Sequence, residues 1–353
     1  MKTKRITIVL GCVFSGLLAA FLLHNSLGFL SNSGSSHAQQ YLNQETKDFA
    51  NRCPEETIWI GGGTFRIGAD DQYVEEQSAE DVSVNGFCID KYEVTNAEFA
   101  KFVEETGYVT IAERPLPAEE FPNLSKEQLA PGSLVFVPPS GNQPILELSW
   151  WKWVRGANWK HPEGPNSDLS GKENYPVVHV SYEDAEAYAK WAGKSLPTEA
   201  QWEFAARGGL KKAIFSRGNQ YSADKANTWQ GLFPVYNEKK DGYVGAAPVG
   251  SFPANGYGLY DMTGNVWEWT KDWYRVGHQG KAHKQNPIVN NKSESFDPRE
   301  PGVAKHVIKG GSYLCAPNYC SRYRPSAREA QAPDSGTSHI GFRLVKLPGD
   351  PLT

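Results

Sequence analysis

The chain has 353 residues, of which 39% are apolar and 12% aromatic, so it is long enough to bury a substantial core. Its 36 Lys and Arg residues nearly balance its 40 Asp and Glu residues, and the net charge of −4 excludes a nucleic-acid binder held by bulk positive charge. The 34 Gly and 23 Pro residues favour a loop-rich fold over a helix bundle or a regular parallel sheet.

Residues 1–40 are predicted to be a targeting segment that ends in a polar tether. Basic side chains at three of the first five positions precede residues 6–23, which carry no charge. As a helix rising roughly 1.5 Å per residue, this run is about 27 Å long and just spans a bilayer, with its basic end on the cytoplasmic side. A cleaved signal peptide and an uncleaved membrane anchor both fit, whereas a buried core helix is less favoured. We therefore expect residues 41–353 outside the cytoplasm, in a periplasmic, secreted or ER-lumen-like setting.

Three capping boxes predict three short helices in the remainder of the chain. Each pairs an N-cap hydroxyl with an acidic or amide side chain three residues later, and the N-caps are Thr95, Ser181 and Thr198. Short apolar runs predict strands at Thr57–Ile60, Thr64–Ile67, Val82–Ile89, Val177–Val180 and His306–Ile308. Apart from the last of these strands, residues 208–311 have the composition of long loops, which need something to hold them. Neither an internal repeat nor a linker divides the chain, so one domain is expected over residues 41–353.

Two segments of the loop-rich region carry the hard oxygen ligands that calcium prefers. The amide of Asn227 and the carboxylate of Asp241 lie fourteen positions apart, with a glycine beside the acid. The carboxylates of Asp261 and Glu268 lie seven positions apart and bracket a Gly-Asn turn. Calcium takes six to eight oxygens of such kinds. Because neither segment is an EF-hand loop, spacing alone favours the simpler alternative of Asx turns and surface acids.

The five cysteines have different expected roles. Cys12 lies in the apolar N-terminal run. Cys53 and Cys88 flank the first predicted strands, and two alternatives remain open for them: they form a disulfide, or they stay unpaired. Cys315 and Cys320 lie five positions apart, with no nearby ligands that would complete a zinc site. A local disulfide is the simpler interpretation of this pair. The functional alternative is a two-thiolate site, since soft sulfur selects Cu(I) and two ligands leave coordination positions free for a substrate.

Several motifs between residues 58 and 345 are characteristic of one protein family. They are Gly61–Gly68, Asp90–Asn96, Gly156–Gly164, Pro176–Val180, Leu196–Glu203, Gly256–Tyr260, Gly264–Trp269, the segment of Cys315 and Cys320, and Gly341–Arg343. On these motifs the chain resembles the formylglycine-generating enzymes, also called sulfatase-modifying factors. The resemblance implies a single α+β domain related to the C-type-lectin-like fold, loop-rich, with little regular secondary structure and two calcium ions.

The resemblance also implies ligands for both calcium ions. By motif position, the first ion would be held by Asn227, Thr228, Asp241 and Tyr243. The second would be held by Asp261, Gly264, Val266 and Glu268, with the glycine and the valine offering backbone carbonyls. Asp261 stands where relatives have an amide, which exchanges one hard oxygen for another and is expected to preserve binding.

The implied reaction is the oxidation by molecular oxygen of a cysteine to Cα-formylglycine, within a Cys-X-Pro-X-Arg segment of an unfolded or nascent sulfatase polypeptide. Cys315 and Cys320 fall on the family's catalytic pair and would hold one Cu(I) ion, with the substrate thiolate as third ligand. Ser312 is expected beside the oxygen pocket. The positive charges of Arg322 and Arg324 favour thiolates if these side chains face the pair. The peptide groove is expected to be shaped by Trp267, Tyr319 and Arg322.

The chain departs from the family pattern at several positions. Cysteines that form disulfides in animal relatives are replaced, as matched pairs, by Ala189, Ala206, Pro325 and Leu344. Between the two catalytic cysteines, residues 316–318 read Ala-Pro-Asn instead of His-Arg-Ser, and His339 stands where asparagine is common. We expect these last two changes to affect substrate preference more than catalysis.

Two other functions compete with this interpretation. An iron-dependent oxygenase of the same superfamily needs clustered histidines with a carboxylate, yet the closest pair, His278 and His283, has no acid between its members. A catalytically inactive, calcium-stabilised binding module would keep the fold without the active site. Such a module has no need of Cys315 and Cys320, so the enzyme is the favoured hypothesis.

Overall fold

The computed structural model describes residues 53–119, 121–139, 145–278 and 284–350. The predicted targeting segment 1–40 lies outside these residues, and so does His283. Among the residues described, none of the helices has the length and apolarity that a bilayer span requires. The described residues all belong to one unit of mutual contacts.

The three predicted helices are confirmed at the predicted N-caps. At Thr95, Ser181 and Thr198 the hydroxyl accepts the backbone N–H three residues later, and the side chain of that residue accepts the N–H of the N-cap. These reciprocal bonds satisfy donors that the first helical turn leaves free. The helices are α1 (Asn96–Thr106), α2 (Tyr182–Trp191) and α3 (Glu199–Ala206).

Short strands form several small sheets in the described ranges, which confirms an α+β fold with little regular structure. The strands are β1 (Thr57–Ile60), β2 (Gly63–Ile67), β3 (Glu80–Val84), β4 (Phe87–Asp90), β5 (Gly132–Phe136), β6 (Trp151–Arg155), β7 (Gly231–Leu232), β8 (Tyr236–Asn237), β9 (Trp267–Trp273), β10 (His306–Lys309), β11 (Glu329–Gln331), β12 (Ile340–Gly341) and β13 (Val345–Lys346). One sheet has the order β11-β10-β9-β12 and another β1-β4-β13, while β2-β3, β5-β6 and β7-β8 pair as separate ribbons. All pairs are antiparallel except β9 with β12.

Three features differ from the strand prediction. The run Val82–Ile89 is divided between β3 and β4, because the chain turns at an Asn-Gly pair between them. The predicted strand Val177–Val180 is wrong: His179 has a φ of 59°, outside the range of a strand, and its N–H donates to the Thr337 carbonyl. Strand β9, by contrast, lies in the region predicted to be loops. Because both of its faces are largely buried, it lacks the alternation that marks a half-exposed strand.

Two hydrophobic clusters meet at the central strand β9. In the first, Phe99 of α1 stacks on Tyr188 of α2 with ring centroids 5.7 Å apart, and this cluster includes Trp269 of β9. The second cluster packs α3 against β1 to β4. The indole of Trp202 in α3 donates a hydrogen bond to Glu268 of β9, with a nitrogen–oxygen distance of 2.7 Å. Strand β9 is thereby fixed from both sides, and its first residues border the candidate site.

The open question about the first cysteine pair is resolved by a disulfide between Cys53 and Cys88, whose Cα atoms lie 5.8 Å apart. Cys88 belongs to β4, the middle strand of its sheet, where it is paired with Trp59 of β1. The disulfide therefore ties the beginning of the described chain to the core sheet.

Removing this disulfide is expected to lower the free energy of unfolding by about 3–4 kcal/mol, because the bond closes a loop of intermediate length in the unfolded chain. The measurement is chemical denaturation of the double variant Cys53→Ala/Cys88→Ala beside the oxidised and the reduced wild type. The reduced wild type should behave like the variant. Equal midpoints for the oxidised wild type and the variant would contradict the expectation.

Candidate active site

Both free cysteines line one cleft of about 770 Å³. One group of its lining side chains is aromatic and mutually packed: Trp150, Phe233 and Tyr319 lie with ring centroids 4.3 to 5.4 Å apart. Another group is charged and joined by ion pairs. It consists of Arg299, Glu300, Lys305, Arg322 and Glu329. The cleft thus offers an apolar surface and a charged surface to a ligand that enters it.

The sulfur atoms of Cys315 and Cys320 lie 3.0 Å apart and are not bonded to each other. Two consecutive turns bring them together: the N–H of Cys315 donates to the carbonyl of Ser312, and the N–H of Cys320 donates to the carbonyl of Ala316. Cys315 is only 2% exposed, whereas Cys320 is half-buried. The local-disulfide alternative does not describe this pair, which presents two soft donors side by side.

The two thiols differ in acidity. A hydrogen bond from Cys315 lowers the pKa of Cys320, and so do the backbone N–H and the guanidinium of Arg322, whereas burial raises the pKa of Cys315. Arg322 meets the condition set from the sequence, that the guanidinium face the pair. Arg324 does not meet it, because its guanidinium makes two hydrogen bonds to the buried carboxylate of Glu76.

A short 3-10 turn at Val74–Glu76 holds the chain that follows Cys320. Arg322 donates to Glu75 with a nitrogen–oxygen distance of 2.7 Å, and its guanidinium carbon lies 4.0 Å from the ring centroid of Tyr73. The Tyr73 hydroxyl contacts the hydroxyl of Ser321 at 3.1 Å. The position of Cys320 is thus supported by residues about 250 positions earlier in the chain. The spacing of residues in the sequence did not predict these contacts.

The other predicted site residues line the same cleft. Ser312 is fully buried, and its hydroxyl oxygen lies 2.9 Å from Nδ1 of His339. Trp267 begins β9 and donates its N–H to the carbonyl of His339. Tyr319 stacks on Phe233 and is 40% exposed. Sequence reasoning missed the aromatic residues Trp150, Trp151 and Phe233, because no motif marks them. The two tryptophans reach the cleft from the start of β6, and the phenylalanine reaches it from the turn between β7 and β8.

The four residues predicted for the first calcium site are brought together. The carboxylate of Asp241 accepts the backbone N–H of Thr228 at 3.2 Å and that of Tyr243 at 3.0 Å. The side chain of Asn227 is buried and donates to the carbonyl of Gly245. Among the described residues, Asp241 forms no ion pair with a basic side chain. Three N–H groups, those of Thr228, Tyr243 and the Gln230 amide, hydrogen bond to this carboxylate, but no cationic side chain within the described ranges neutralises it. Asp241 is therefore the hard oxygen donor through which this segment suits calcium.

The second predicted calcium site contains more negative charge than the sequence indicated. Asp261 and Glu268 are buried together with a third carboxylate, Glu93, and the guanidinium that neutralises this group is that of Arg343. Arg343 makes two hydrogen bonds to Glu268, with nitrogen–oxygen distances of 2.7 and 2.8 Å, and its remaining N–H groups donate to backbone carbonyls. Glu93 was missed because nothing but its burial distinguishes it from a surface acid.

The remaining two carboxylates are poorly compensated. Oε2 of Glu93 is buried and accepts no hydrogen bond from a donor in the described part of the chain, and Oδ2 of Asp261 accepts the N–H of Gly250, at 2.7 Å. Burial raises the pKa of Asp261 to about 6, and burial and the charge of Asp261 raise that of Glu93. With all three carboxylates ionised, the group and its one guanidinium would carry a net charge of −2. Ionisation is unfavourable without a cation, as the raised pKa values indicate, so a divalent cation that balances the charge fits this site.

The two predicted calcium segments touch each other. Gly264 has a φ of 79°, and a Cβ atom at this position would lie 2.1 Å from the carbonyl oxygen of Asn227. The N–H of Asn265 donates to the same carbonyl. Only glycine permits this approach. Gly264 is therefore needed for the contact between the two segments, independently of any ligand that its carbonyl binds. Val266, the fourth residue predicted for the second site, is fully buried two positions later.

A separate buried group combines Glu199, Glu203 and His278, whose potential ligand atoms lie within 4.8 Å of one another. The iron-dependent alternative requires clustered histidines with a carboxylate, and this group has the carboxylates but a single histidine. Basic side chains already occupy both carboxylates, however: Arg328 lies 2.8 Å from Glu199 and Lys309 lies 3.1 Å from Glu203. The group is an ion-pair network, and it does not support an iron site.

Comparison with known proteins agrees with the geometry. The family model described as "Sulfatase-modifying factor enzyme 1-like domain" matches residues 43–348. The formylglycine-generating enzyme of Mycobacterium tuberculosis is 46% identical over 298 residues, which cover 83% of this chain and 98% of that protein. That of Mus musculus is 46% identical over 293 residues, covering 81% and 73%. Among solved structures, PvdO from Pseudomonas aeruginosa matches with a TM-score of 0.55 at 25% identity, covering 82% of this chain and 93% of that one.

Proposed function

The chain belongs to the family of sulfatase-modifying factor enzyme 1-like proteins, and from this premise we propose that it oxidises a sulfatase cysteine to Cα-formylglycine. The observation that carries the proposal is the pair of free sulfurs 3.0 Å apart in a cleft. A binding module without chemistry has no use for two unbonded thiols at its ligand site. The proposed substrate is an unfolded or nascent sulfatase polypeptide with a Cys-X-Pro-X-Arg segment.

The cleft suits Cu(I) as the cofactor. Cys315 and Cys320 supply two adjacent sulfur donors, and soft donors select Cu(I) over hard cations. When bound, the copper ion supplies a position for the substrate sulfur and the redox chemistry that reduces molecular oxygen. Cys320 is the thiol that loses its proton first, because its pKa is lowered by Cys315 and Arg322.

The other residues of the cleft bind and orient the substrate. The packed rings of Trp150, Phe233 and Tyr319 offer an apolar surface to the peptide, while Trp267 borders the cleft from β9. Holding the reacting cysteine beside the sulfur pair converts a collision into an intramolecular step, which is the main contribution that positioning makes to the rate. Ser312 offers a hydrogen-bonding group in the turn before Cys315.

The overall reaction requires an external reductant. Converting CH₂SH to CHO removes two electrons from the cysteine, releases its sulfur as hydrogen sulfide and takes up the oxygen atom of water. Reducing molecular oxygen to water consumes four electrons and four protons. A thiol reductant is the proposed source of the other two electrons, and it becomes a disulfide.

Two calcium ions are proposed as structural cofactors. The ligands of the first are Asn227, Thr228, Asp241 and Tyr243, and those of the second are Asp261, Gly264, Val266 and Glu268, with Glu93 as an added carboxylate. The support for the second ion is the uncompensated charge of Glu93 and Asp261. Both ions would hold loops that have few regular hydrogen bonds of their own.

We further propose that the protein acts outside the cytoplasm. The disulfide between Cys53 and Cys88 supports this location, since such bonds persist in oxidising compartments. The apolar run at residues 6–23 would contact the membrane as a signal peptide or an anchor.

The proposed activity is tested by incubating the full chain with Cu(I), oxygen, a thiol reductant and a Cys-X-Pro-X-Arg peptide. We expect the peptide to lose about 18 Da, the difference between a thiol-bearing and an aldehyde-bearing carbon, and to react with a hydrazide probe. The matched control is the same peptide with serine in place of cysteine, which should remain unchanged. An unaltered cysteine peptide under these conditions would exclude the activity.

A further inference from the structure

Ser312, which is fully buried, and His339, which is partly buried, form a hydrogen-bonded pair in the lining of the cleft. The hydroxyl oxygen of Ser312 lies 2.9 Å from Nδ1 of His339, and both residues line the cleft with Cys315 and Cys320. Ser312 also begins the turn that carries Cys315, because its carbonyl accepts the Cys315 N–H at 2.9 Å. Ser312 therefore contacts His339 through its hydroxyl and Cys315 through its carbonyl, so it links the imidazole to the turn that positions one of the two sulfurs.

The imidazole of His339 is held in place from two directions. The backbone carbonyl of His339 accepts the N–H of Trp267 at 2.8 Å, which fixes the backbone of His339 against β9. Its ring centroid lies 4.7 Å from that of Trp151 on β6. Rotation of the side chain about Cα–Cβ would move the ring off Trp151, so this packing favours the rotamer that places the imidazole beside the Ser312 hydroxyl.

The hydrogen bonds of Ser312 leave its hydroxyl few orientations. Its oxygen already accepts the N–H of Leu314 at 3.2 Å. Burial lowers the pKa of His339 to about 3, so the ring is neutral and has one donor and one acceptor nitrogen. If Nδ1 is the acceptor, the Ser312 hydroxyl donates to it and keeps one lone pair for a ligand. If Nδ1 carries the proton, it donates to the oxygen and the hydroxyl proton is free to point at a ligand.

We propose that His339 is a positioning residue that sets the direction of the Ser312 hydroxyl toward a substrate bound at the sulfur pair. The inference rests on the proposed function, and it gives position 339 a part in catalysis in addition to the expected one in substrate preference. The imidazole acts through Ser312 and does not itself exchange a proton with the substrate. An asparagine amide offers an acceptor and a donor on a side chain of similar reach, so it can replace the imidazole, whereas an aliphatic side chain cannot.

The test compares His339→Asn, His339→Leu, Ser312→Ala and the double variant Ser312→Ala/His339→Leu. With the peptide assay we expect kcat of His339→Leu to fall by about 10- to 100-fold with little change in KM, and that of His339→Asn to stay within about 3-fold of wild type. The double variant should be no slower than Ser312→Ala, because both changes remove the same oriented hydroxyl. Affinity for Cu(I), measured by chelator competition, should be unchanged in all four.

A matched control is His306→Asn. His306 is buried and also has a lowered pKa, but it stacks on Tyr182 and does not line the cleft. Its replacement should leave kcat unchanged. The inference is overturned if His339→Leu keeps wild-type kcat, if His339→Asn falls as far as His339→Leu, or if the losses of Ser312→Ala and His339→Leu multiply.

A second readout separates this inference from the proposed function and from failure to fold. In protein labelled with ¹⁵N at histidine, Ser312→Ala should shift the Nδ1 resonance of His339 and leave that of His306 in place. An unmoved His339 resonance would refute the pairing, even if the Leu variant proves unstable. If wild type forms no aldehyde, the proposed function fails, while the resonance still reports whether the pair exists.

Discussion

Replacing Cys315 or Cys320 with serine is expected to reduce aldehyde formation by at least about 1,000-fold, because a hydroxyl is a poor ligand for Cu(I) and each thiolate is half of the donor pair. Serine is nearly the size of cysteine, and neither sulfur bonds covalently within the chain. The fold should therefore survive both substitutions. The measurement is peptide turnover by mass spectrometry, with circular dichroism and thermal unfolding of the same samples.

The matched control for the loss of a cysteine is the disulfide variant Cys53→Ala/Cys88→Ala. It removes two sulfurs far from the cleft and should keep turnover at temperatures where it remains folded. A serine variant of Cys315 or Cys320 that keeps more than about a tenth of the activity would show that the sulfur pair does not carry the chemistry. A binding module, by contrast, would keep its ligand in all of these variants.

Withdrawal of calcium with a chelator is expected to lower the unfolding temperature by about 10 °C. A ligand bound about 1,000-fold above its dissociation constant contributes about 4 kcal/mol, and each kcal/mol shifts the midpoint by about 2–4 °C in a domain of this size. The physical reason is the group of Glu93, Asp261 and Glu268, whose charge Arg343 balances only in part. Adding calcium back should restore the midpoint, and the measurement is scanning calorimetry.

The variant Glu93→Gln sharpens this prediction. It removes one of the uncompensated charges, so without calcium it should unfold at a higher temperature than wild type. With calcium it should gain less than wild type, because a ligand has been weakened. Asp241→Asn serves as a matched change in the first site. It should weaken calcium binding there, and without calcium it should not raise the midpoint, because it leaves the charges of Glu93, Asp261 and Glu268 in place. A wild-type midpoint that does not respond to the chelator would contradict the calcium assignment.

Local signals predicted the helices, whereas residues that depend on distant contacts were missed. The three capping boxes act within four residues, and all three N-caps are where the sequence placed them. Strand β9 depends on elements packed on both of its faces, so its polar residues gave no alternating pattern. Val177–Val180 has the composition of a strand, but its backbone pairs with neighbouring loops.

In the candidate site, too, the sequence predicted residues that a local motif marks and missed those that depend on distant contacts. The resemblance named Cys315, Cys320 and Ser312, and the structure places all three in one cleft, where a single turn contains Ser312 and Cys315. It did not indicate that Glu76 would bind Arg324, since that ion pair joins residues 248 positions apart. The role of Glu93 likewise depends on its burial beside Asp261, which is a property of the fold and not of the motif.

Titration of the reduced, chelator-treated full chain with Cu(I), against a competing chelator of known affinity, measures directly whether Cys315 and Cys320 form a copper site. Wild type is predicted to take up one Cu(I) per chain, and neither Cys315→Ser nor Cys320→Ser should compete for it at the same chelator concentration. Equal uptake by wild type and by both serine variants would contradict a copper site built from these two sulfurs.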